Sequence, residues 1–478
     1  MNALIVGFDL DMTLVDSRPG IGAAWSVLAA ETGAAIDIPL VVSRLGPPLE
    51  VEVANWFPAA EVSAVAARYR EIYPHHAVHG TDVLPGAREA LAAVHRHGGR
   101  TMVVTGKHEP NARLHLDHLD LAVDHLVGDL WGEQKGVALR ASGAGVYVGD
   151  HLGDLIGARA AGAIAVGVAT GPISAEDLRA AGADVVLSDL TGFPAWLDAH
   201  VADLRLGALR ERLASLGSVA VAFSGGADSA FLLAAAVRTL GAAHVLALTT
   251  DSPGLPAAER DAARAFAAEL GVRHELVPSD EMARAGYRDN NGDRCRFCKT
   301  ELMAVLAPVA RAAGMAHIAT GTNADDARVG FRPGIAAAAE AGAVTPLLDA
   351  GLTKTQIRAI SRTWGLPTWD KPAAACLSSR VAYGVAITPA RLARVERAET
   401  ALRMVLARDG IAVRNLRVRD LGQFARIEVD AALSTAVADH EPALAAVRDA
   451  GFARVEVDPL GYREGAMNEL LPDPELYR

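Results

Sequence analysis

Short apolar runs, each closing on a polar or glycine-containing loop, recur along this chain. Leu4–Phe8, Thr101–Val104, Val146–Val148 and Ile164–Val168 are the first such runs, and Ala87–Arg96 and Leu155–Ala161 between them read as helices. Short strands alternating with helices predict a parallel sheet with crossover connections. Residues 18–80 interrupt the pattern with mostly helical sequence, as an inserted cap would. Asp184–Leu187 reads as a last strand and Phe193–Leu206 as a short helical connection. A second αβ pattern opens at Ser218–Phe223, enters the apolar helix Ala230–Leu240 and returns to strands at His244–Thr249 and His317–Ala319. Beyond it, Pro389–Arg408 reads as a helix, and Val413–Val418 and Ala425–Val429 as strands. The fold class expected is α/β, in three regions: 1–202, 203–384, and a small α+β region over 385–478. Neither internal repeats nor a Gly/Ser- or Pro-rich linker separates them.

Composition narrows the classes. A chain of 478 residues exceeds one ordinary core. With 51% hydrophobic and only 5% aromatic residues, its cores are built of Ala, Val and Leu, and the chain is globular. The net charge of −11 argues against an extended nucleic-acid surface, so nucleic acid is not an expected partner. A small anionic substrate would be held by a few focused Arg and Lys residues. Three cysteines do not make a secreted disulfide framework. The first residues, Met1–Asp9, lack a basic stretch and run straight into a motif, and apolar runs such as Ala234–Val237 are short. The expectation is a cytoplasmic homo-oligomer without a membrane partner.

The first strand ends in Asp9-Leu10-Asp11-Met12-Thr13. Carboxylates at i and i+2 leave the strand toward the crevice where α/β folds bind ligands. One can attack phosphorus and the other can serve as general acid and base, with Mg²⁺ offsetting the charge. Thr105, ending the second strand, is a candidate phosphate ligand, and Lys135 a candidate for neutralising the transferring group. Lys107 also lies near the second motif. Gly149-Asp150-His151-Leu152-Gly153-Asp154 adds two acids after a third strand. Over about residues 1–200 this set resembles the haloacid dehalogenase (HAD) phosphatases. Leu14-Val15-Asp16-Ser17 and Leu84-Pro85-Gly86 resemble their phosphoglycolate-phosphatase-like branch, which carries a helical cap. The resemblance implies a HAD Rossmann-like domain with Asp9 as nucleophile, Asp11 as acid/base, and Asp9, Asp11, Asp150 and Asp154 around Mg²⁺. Its substrate would be a phosphorylated small molecule. A domain with intact motifs and a mainly structural role is the alternative.

Ser224-Gly225-Gly226-Ala227-Asp228-Ser229 follows a strand and opens a helix. Small residues there let backbone N–H groups approach phosphate oxygens at a helix N-terminus. It is not a Walker A loop, which needs Gly-Lys-Ser/Thr. It resembles the loop of PP-loop ATP pyrophosphatases (adenine nucleotide alpha hydrolase-like), with Ser224, Gly225, Gly226, Asp228 and Ser229 on ATP. Asp325 and Asp326 are candidates for holding Mg²⁺–ATP, and Asn323 and Asp325 equally for capping a loop. Further strings are Asn290–Lys299, Gly321–Asp326, Arg332-Pro333-Gly334, Pro346-Leu347, Leu352-Thr353-Lys354, Lys371–Arg380, Arg417-Val418-Arg419 and Ala425–Val429. Over about residues 205–470 these resemble the LarE family. That resemblance implies ATP-dependent adenylation of pyridinium-3,5-biscarboxylic acid mononucleotide, followed by sulfur insertion, toward the nickel-pincer nucleotide. Arg380, Arg417, Arg419 and Glu428 are the candidate ligands for this mononucleotide, since Arg suits phosphate and carboxylate.

All three cysteines fall in this second part: Cys295 and Cys298 as Cys-Arg-Phe-Cys, and Cys376 in Ala375-Cys376-Leu377-Ser378-Ser379-Arg380. The LarE resemblance makes Cys376 the sulfur-bearing cysteine, consumed as donor in members that have only that one. It makes Cys295 and Cys298 the added pair of members that assemble a [4Fe–4S] cluster on three thiolates. Such clusters usually take four Cys, so one iron would be open to carry a further sulfide. A zinc site completed by a His such as His317, a redox Cys-x-x-Cys and plain packing remain open from the residues alone. Thiolation of tRNA is a further class, since other PP-loop enzymes also use three-Cys clusters; the acidic charge and the absence of a recognisable RNA-binding module count against it.

Overall fold

Strands covered on both faces need apolar residues at every position, and those of the first sheet have them. Ile5–Phe8 and Val146–Gly149 are buried throughout. The computed structural model describes residues 3–328, 333–372, 376–463 and 465–471. Arg332 and Ala373–Ala375, parts of two of the quoted strings, lie outside the described residues.

The chain divides into two compact units, Met1–Asp203 and Leu204–Arg478. In the first, six parallel strands lie in the order His125–Val127, Arg100–Val104, Ile5–Phe8, Val146–Gly149, Ile164–Val168, Val185–Leu187. The connections run one way from Ile5–Phe8 through Arg100–Val104 and the other way through Val146–Gly149. This reversal opens a crevice at the carboxyl ends of the three central strands. Asp9, Thr105 and Asp150 stand at those ends. The helices Arg18–Thr32, Ile38–Ser43, Leu49–Val53 and Val62–His76 form the inserted cap, with a separate core that includes Trp25, Leu28, Tyr69 and Tyr73. Val15–Asp16 pairs antiparallel with Asp82–Val83 where the cap leaves and rejoins. At that neck Gly20 approaches the Ala77 carbonyl so closely that a Cβ would sit 1.9 Å from its oxygen.

The second unit holds a four-stranded parallel sheet in the order Arg273–Pro278, Val245–Asp251, Val219–Ala222, Ile318–Ala319. A smaller sheet follows, in which Leu416–Asp420 pairs antiparallel with Ala425–Val429, and that strand pairs in parallel with Val455–Val457. Alternation sends Leu416, Val418, Ile427 and Val429 into a core shared with the helix Pro389–Arg408. Arg417 lies directly across from Glu428, and Arg419 from Arg426, on the other face.

The connection expected to end near Leu206 is one 24-residue helix, Phe193–Leu216. Phe193, Leu197 and Val201 belong to the first unit's core, and Leu206, Leu209, Leu213 and Leu216 to the second's. An apolar stripe kept at helical spacing leaves no reason to stop. Besides the short neck pair Val15–Asp16 and Asp82–Val83, three strands of the larger sheets went unpredicted: His125–Val127, Arg273–Pro278 and Val455–Val457. Each is a sheet edge, half open to water, where polar residues replace the apolar run. Among the described residues, no helix is long and apolar enough to cross a membrane.

Candidate functional site

Asp9 leaves its strand with its backbone N–H on the Val148 carbonyl at 2.8 Å, and the chain then turns tightly through Met12 at φ +58°. Lys135, fully buried on the helix Glu133–Ser142, lies 2.6 Å from Asp154 Oδ1 and 3.2 Å from Asp9 Oδ1. Thr13 donates to Asp150 at 2.8 Å. The second oxygen of Asp154 accepts from the His151 N–H at 3.0 Å, where the helix Leu152–Ala161 begins. Burial drives the Asp9 carboxyl up to about 7; Lys135 opposes this, while Asp154 and Asp11 add to it. Burial, then Asp154 and Asp9, raise Asp150 well above the usual carboxylate range. Three buried carboxylates against one ammonium leave excess negative charge, which is costly without a further cation.

The geometry suits one. Oxygen atoms of Asp9, Asp150 and Asp154 lie within 4.8 Å of one another, and the buried Asp9 Oδ1 has only the Lys135 ion pair at 3.2 Å. Hard oxygen donors match Mg²⁺. Asp154 spends its oxygens on Lys135 and His151, which leaves Asp9 and Asp150 the better placed ligands. Asp11 stands outside this trio: it accepts from the Ser17 hydroxyl and pairs with Lys107 at 3.0 Å. Thr105 is buried beside it and accepts from the Lys107 N–H at 3.2 Å.

Beyond Lys107 runs a chain that sequence reasoning did not find. Lys107 Nζ donates to the Tyr73 hydroxyl at 2.5 Å, and that hydroxyl lies 2.8 Å from His115 Nε2. Tyr73 comes from the cap helix, so no local motif announces it. With Lys107 donating, the tyrosine proton goes to Nε2, and His115 Nδ1 is left buried without a partner. Burial, aided by Lys107, pushes the His115 imidazole down to about 3. The unfolded chain therefore holds a proton that the folded one refuses between pH 6.5 and 3. This contribution is complete above pH 6.5 and is lost as pH falls toward 3. Denaturant unfolding at pH 7 and pH 5 is expected to show about 2 kcal/mol of this loss in the wild type. His115→Gln should lack that share of the pH dependence; an equal drop in both proteins would refute the assignment.

In the second unit, the strand Val219–Ala222 feeds the loop before the helix Ala227–Leu240. Gly225 turns at φ +71°, and Ser229 Oγ donates to the Gly226 carbonyl while lying 3.1 Å from Ser224 Oγ. Gly321 abuts this loop: a Cβ there would meet the Ser229 nitrogen at 2.9 Å. Burial, then Asp326, raises Asp228 to about 6 against the pull of Lys354 and Arg358. Asn323 Oδ1 accepts from the N–H groups of Asp325 and Asp326, and Asp325 accepts from the Lys354 N–H at 2.7 Å. Asn323 and Asp325 both therefore cap, the role expected of Asn323 and one of the two expected of Asp325. Lys371, quoted only as part of a string, reaches the loop itself. Its Nζ donates to the Gly225 carbonyl at 2.9 Å and to Glu259 at 2.6 Å.

Cys295 and Cys298 sit one turn apart at the start of the helix Arg294–Ala312. Cys376 immediately precedes the short helix Leu377–Arg380. All three are free thiols, with Cys295 and Cys376 exposed and Cys298 half-buried. Burial pushes the Cys298 thiol up to about 12, with Cys376, Glu281 and Cys295 adding and Lys299 opposing, so the three thiols feel one another. Among the described residues, only the acidic trio gathers three ligand atoms within 4.8 Å.

Three guanidinium groups hold the Cys376 loop by its carbonyls. Arg380 donates to Cys376 O at 3.0 Å, Arg294 to Ser378 O at 2.9 Å and Arg419 to Ser379 O at 3.2 Å. Arg380 also grips Glu399, and Arg419 grips Glu428, each through two nitrogens. Arg417 donates to the Leu416 carbonyl and lies over the Tyr462 ring. Burial and the charge of Arg380 lower its pKa. The four candidate mononucleotide ligands thus meet around the Cys376 loop, with Arg419 and Glu428 already paired. Glu399 was not foreseen, and Arg294 and Asn290 were quoted only as parts of a string. Asn290, fully buried at φ +56°, donates to the Ala382 and Val385 carbonyls and accepts from Arg294.

Residues 6–159 match the family model of haloacid dehalogenase-like hydrolases, and residues 200–290 that of asparagine synthase. An uncharacterized protein of Synechocystis sp. is 39% identical over 56% of this chain and 98% of its own length. The pyridinium-3,5-bisthiocarboxylic acid mononucleotide synthase of Lactiplantibacillus plantarum is 32% identical over 55% of this chain and 94% of its length. The phosphoglycolate phosphatase of Rhodospirillum rubrum is 33% identical over 40% of this chain and 89% of its length. The chain therefore belongs to the HAD hydrolases in its first part and to the LarE family of PP-loop enzymes in its second, a phosphatase-type domain fused to an ATP-dependent sulfurtransferase.

Proposed function

We propose that the second half adenylates a carboxylate of pyridinium-3,5-biscarboxylic acid mononucleotide and replaces the activated oxygen with sulfur. The carboxylate attacks the α-phosphorus of ATP, and pyrophosphate leaves. A sulfur nucleophile then attacks the carbonyl carbon, and AMP leaves with the oxygen, because a free carboxylate has no adequate leaving group. One observation carries this reading. Lys371 touches Gly225 of the nucleotide loop through its side chain, and Cys376 follows five residues later, so at most roughly 18 Å of backbone separates Cys376 from the residue that grips that loop. Residues 203–384 would hold ATP, and Arg417, Arg419 and Glu428 of 385–478 would present the mononucleotide beside Cys376.

The cysteines offer three free thiols, the donor type that an iron–sulfur cluster takes. Cys295, Cys298 and Cys376 would hold a [4Fe–4S] cluster, which would supply a renewable sulfide. The arginines on the Cys376, Ser378 and Ser379 carbonyls fix the loop and favour a negatively charged sulfur there. Anaerobic purification with iron and sulfide analysis tests the ligand set. About four irons per chain and more than one product per chain are expected. An iron-free protein that turns over once and loses sulfur from Cys376 would mean that the cysteine itself is consumed.

The first half reads as a Mg²⁺-dependent phosphate-ester hydrolase. Asp9 and Asp150 would hold Mg²⁺, which would offset the charge of phosphate facing carboxylates. Asp9 attacks phosphorus, Asp11 gives its proton to the leaving oxygen and later takes one from water, and Lys135 keeps Asp9 oriented.

A further inference from the structure

A cavity of about 360 Å³ lies over Asp9, Asp11 and Asp150, between them and the cap helices of the same unit. That volume falls within the range of pockets for drug-sized ligands, far more than a two-carbon phosphate ester fills. Part of its cap wall is apolar and aromatic, made by Ile21, Trp25, Tyr69 and Tyr73, and part is charged. Its three long cationic side chains each have a carboxylate already. Arg44 is 2.8 Å from Glu52, Arg70 is 2.6 Å from Glu50, and Lys107 is 3.0 Å from Asp11. Glu52 is further pinned by the Trp56 indole N–H at 2.9 Å. A substrate carboxylate entering here would have to displace one of these acids and would meet their charge. An uncharged ring would instead cover apolar wall.

We infer that this site takes phosphomonoesters with a bulky, uncharged, aromatic-bearing leaving group, such as nucleoside monophosphates, and selects against short esters that carry a carboxylate. The inference rests on Asp9 being the nucleophile. In the reaction the P–O bond to the leaving group breaks as the Asp9–phosphorus bond forms, and the alcohol leaves with the proton from Asp11. Water, giving a proton to Asp11, then cleaves the aspartyl phosphate, which yields inorganic phosphate and restores the Asp9 carboxylate and the Asp11 acid. AMP, which the adenylation proposed for the second half releases, has the favoured chemistry.

The test compares kcat/KM of the full-length protein, with Mg²⁺, for AMP, phenyl phosphate and 2-phosphoglycolate. Both aromatic esters are expected to exceed 2-phosphoglycolate by about tenfold or more. Glu52→Gln keeps an acceptor for Trp56 but removes the charge that neutralises Arg44, so the ratio of 2-phosphoglycolate to phenyl phosphate should rise several-fold. Calorimetric binding to Asp9→Asn should rank AMP above 2-phosphoglycolate. A wild type that prefers 2-phosphoglycolate, or a ratio unmoved by Glu52→Gln, overturns the selectivity and leaves the phosphatase standing. No hydrolysis of any ester overturns the phosphatase reading and the selectivity together.

Discussion

Replacing Asp9 with Asn is expected to lower phosphate-ester hydrolysis by about 10⁴-fold or more, the scale on which enzymes lose activity with their nucleophile. The amide matches the carboxylate in shape but cannot attack phosphorus. The same change removes one of three carboxylates crowded around a single buried Lys135. Burial, with Asp154 and Asp11, drives Asp9 up to about 7 against the pull of Lys135, so its charged form is unwelcome in the metal-free fold. Metal-free Asp9→Asn should therefore melt no earlier than the wild type. Lost activity with a retained melting temperature would separate a chemical role from a structural one. A wild type that hydrolyses no ester would make the domain a scaffold. Asp9 belongs to the first unit and every residue of the proposed sulfur-transfer site to the second. Sulfur-transfer yield is accordingly expected to stay unchanged, and a fall would show that the two activities are coupled.

The second large effect is expected at Cys376. Cys376→Ala should leave no detectable thiocarboxylate product, because it removes the thiol that both sulfur-delivery routes require. Release of pyrophosphate should persist to within about tenfold, because the nucleotide loop and Lys371 are untouched. The loop itself should survive, since Arg380, Arg294 and Arg419 hold its backbone carbonyls and not its side chain. Measuring pyrophosphate, AMP and product together separates the steps. Product at a tenth of the wild-type level or more would remove Cys376 from the chemistry. Loss of pyrophosphate as well would place it in adenylation.

Legibility followed the length of chain over which each feature is encoded. Helices such as Ala87–Arg96 and Pro389–Arg408 and the strand Ile164–Val168 lie where their own side-chain pattern predicts. The loops at strand ends were equally plain, because a nucleotide or phosphate loop packs its chemistry into a few consecutive residues. Edge strands were missed because water on one side relaxes the apolar pattern. The long helix Phe193–Leu216 was cut short because its stripe serves two cores in turn.

By itself, then, the sequence determined two αβ architectures, a capped acidic loop, a nucleotide loop and three thiols in the second half. Tertiary structure alone decided how these groups are partnered. Thr13 meets Asp150 across 137 residues, and Lys371 meets Gly225 across 146. It also decided that Asp11 pairs with Lys107 while Lys135 serves Asp9 and Asp154, and that Tyr73 of the cap completes the chain to His115. The physical reason is that burial and charge pairing set the strength of each contact. Both depend on which distant segments the core brings together, and no local pattern records that.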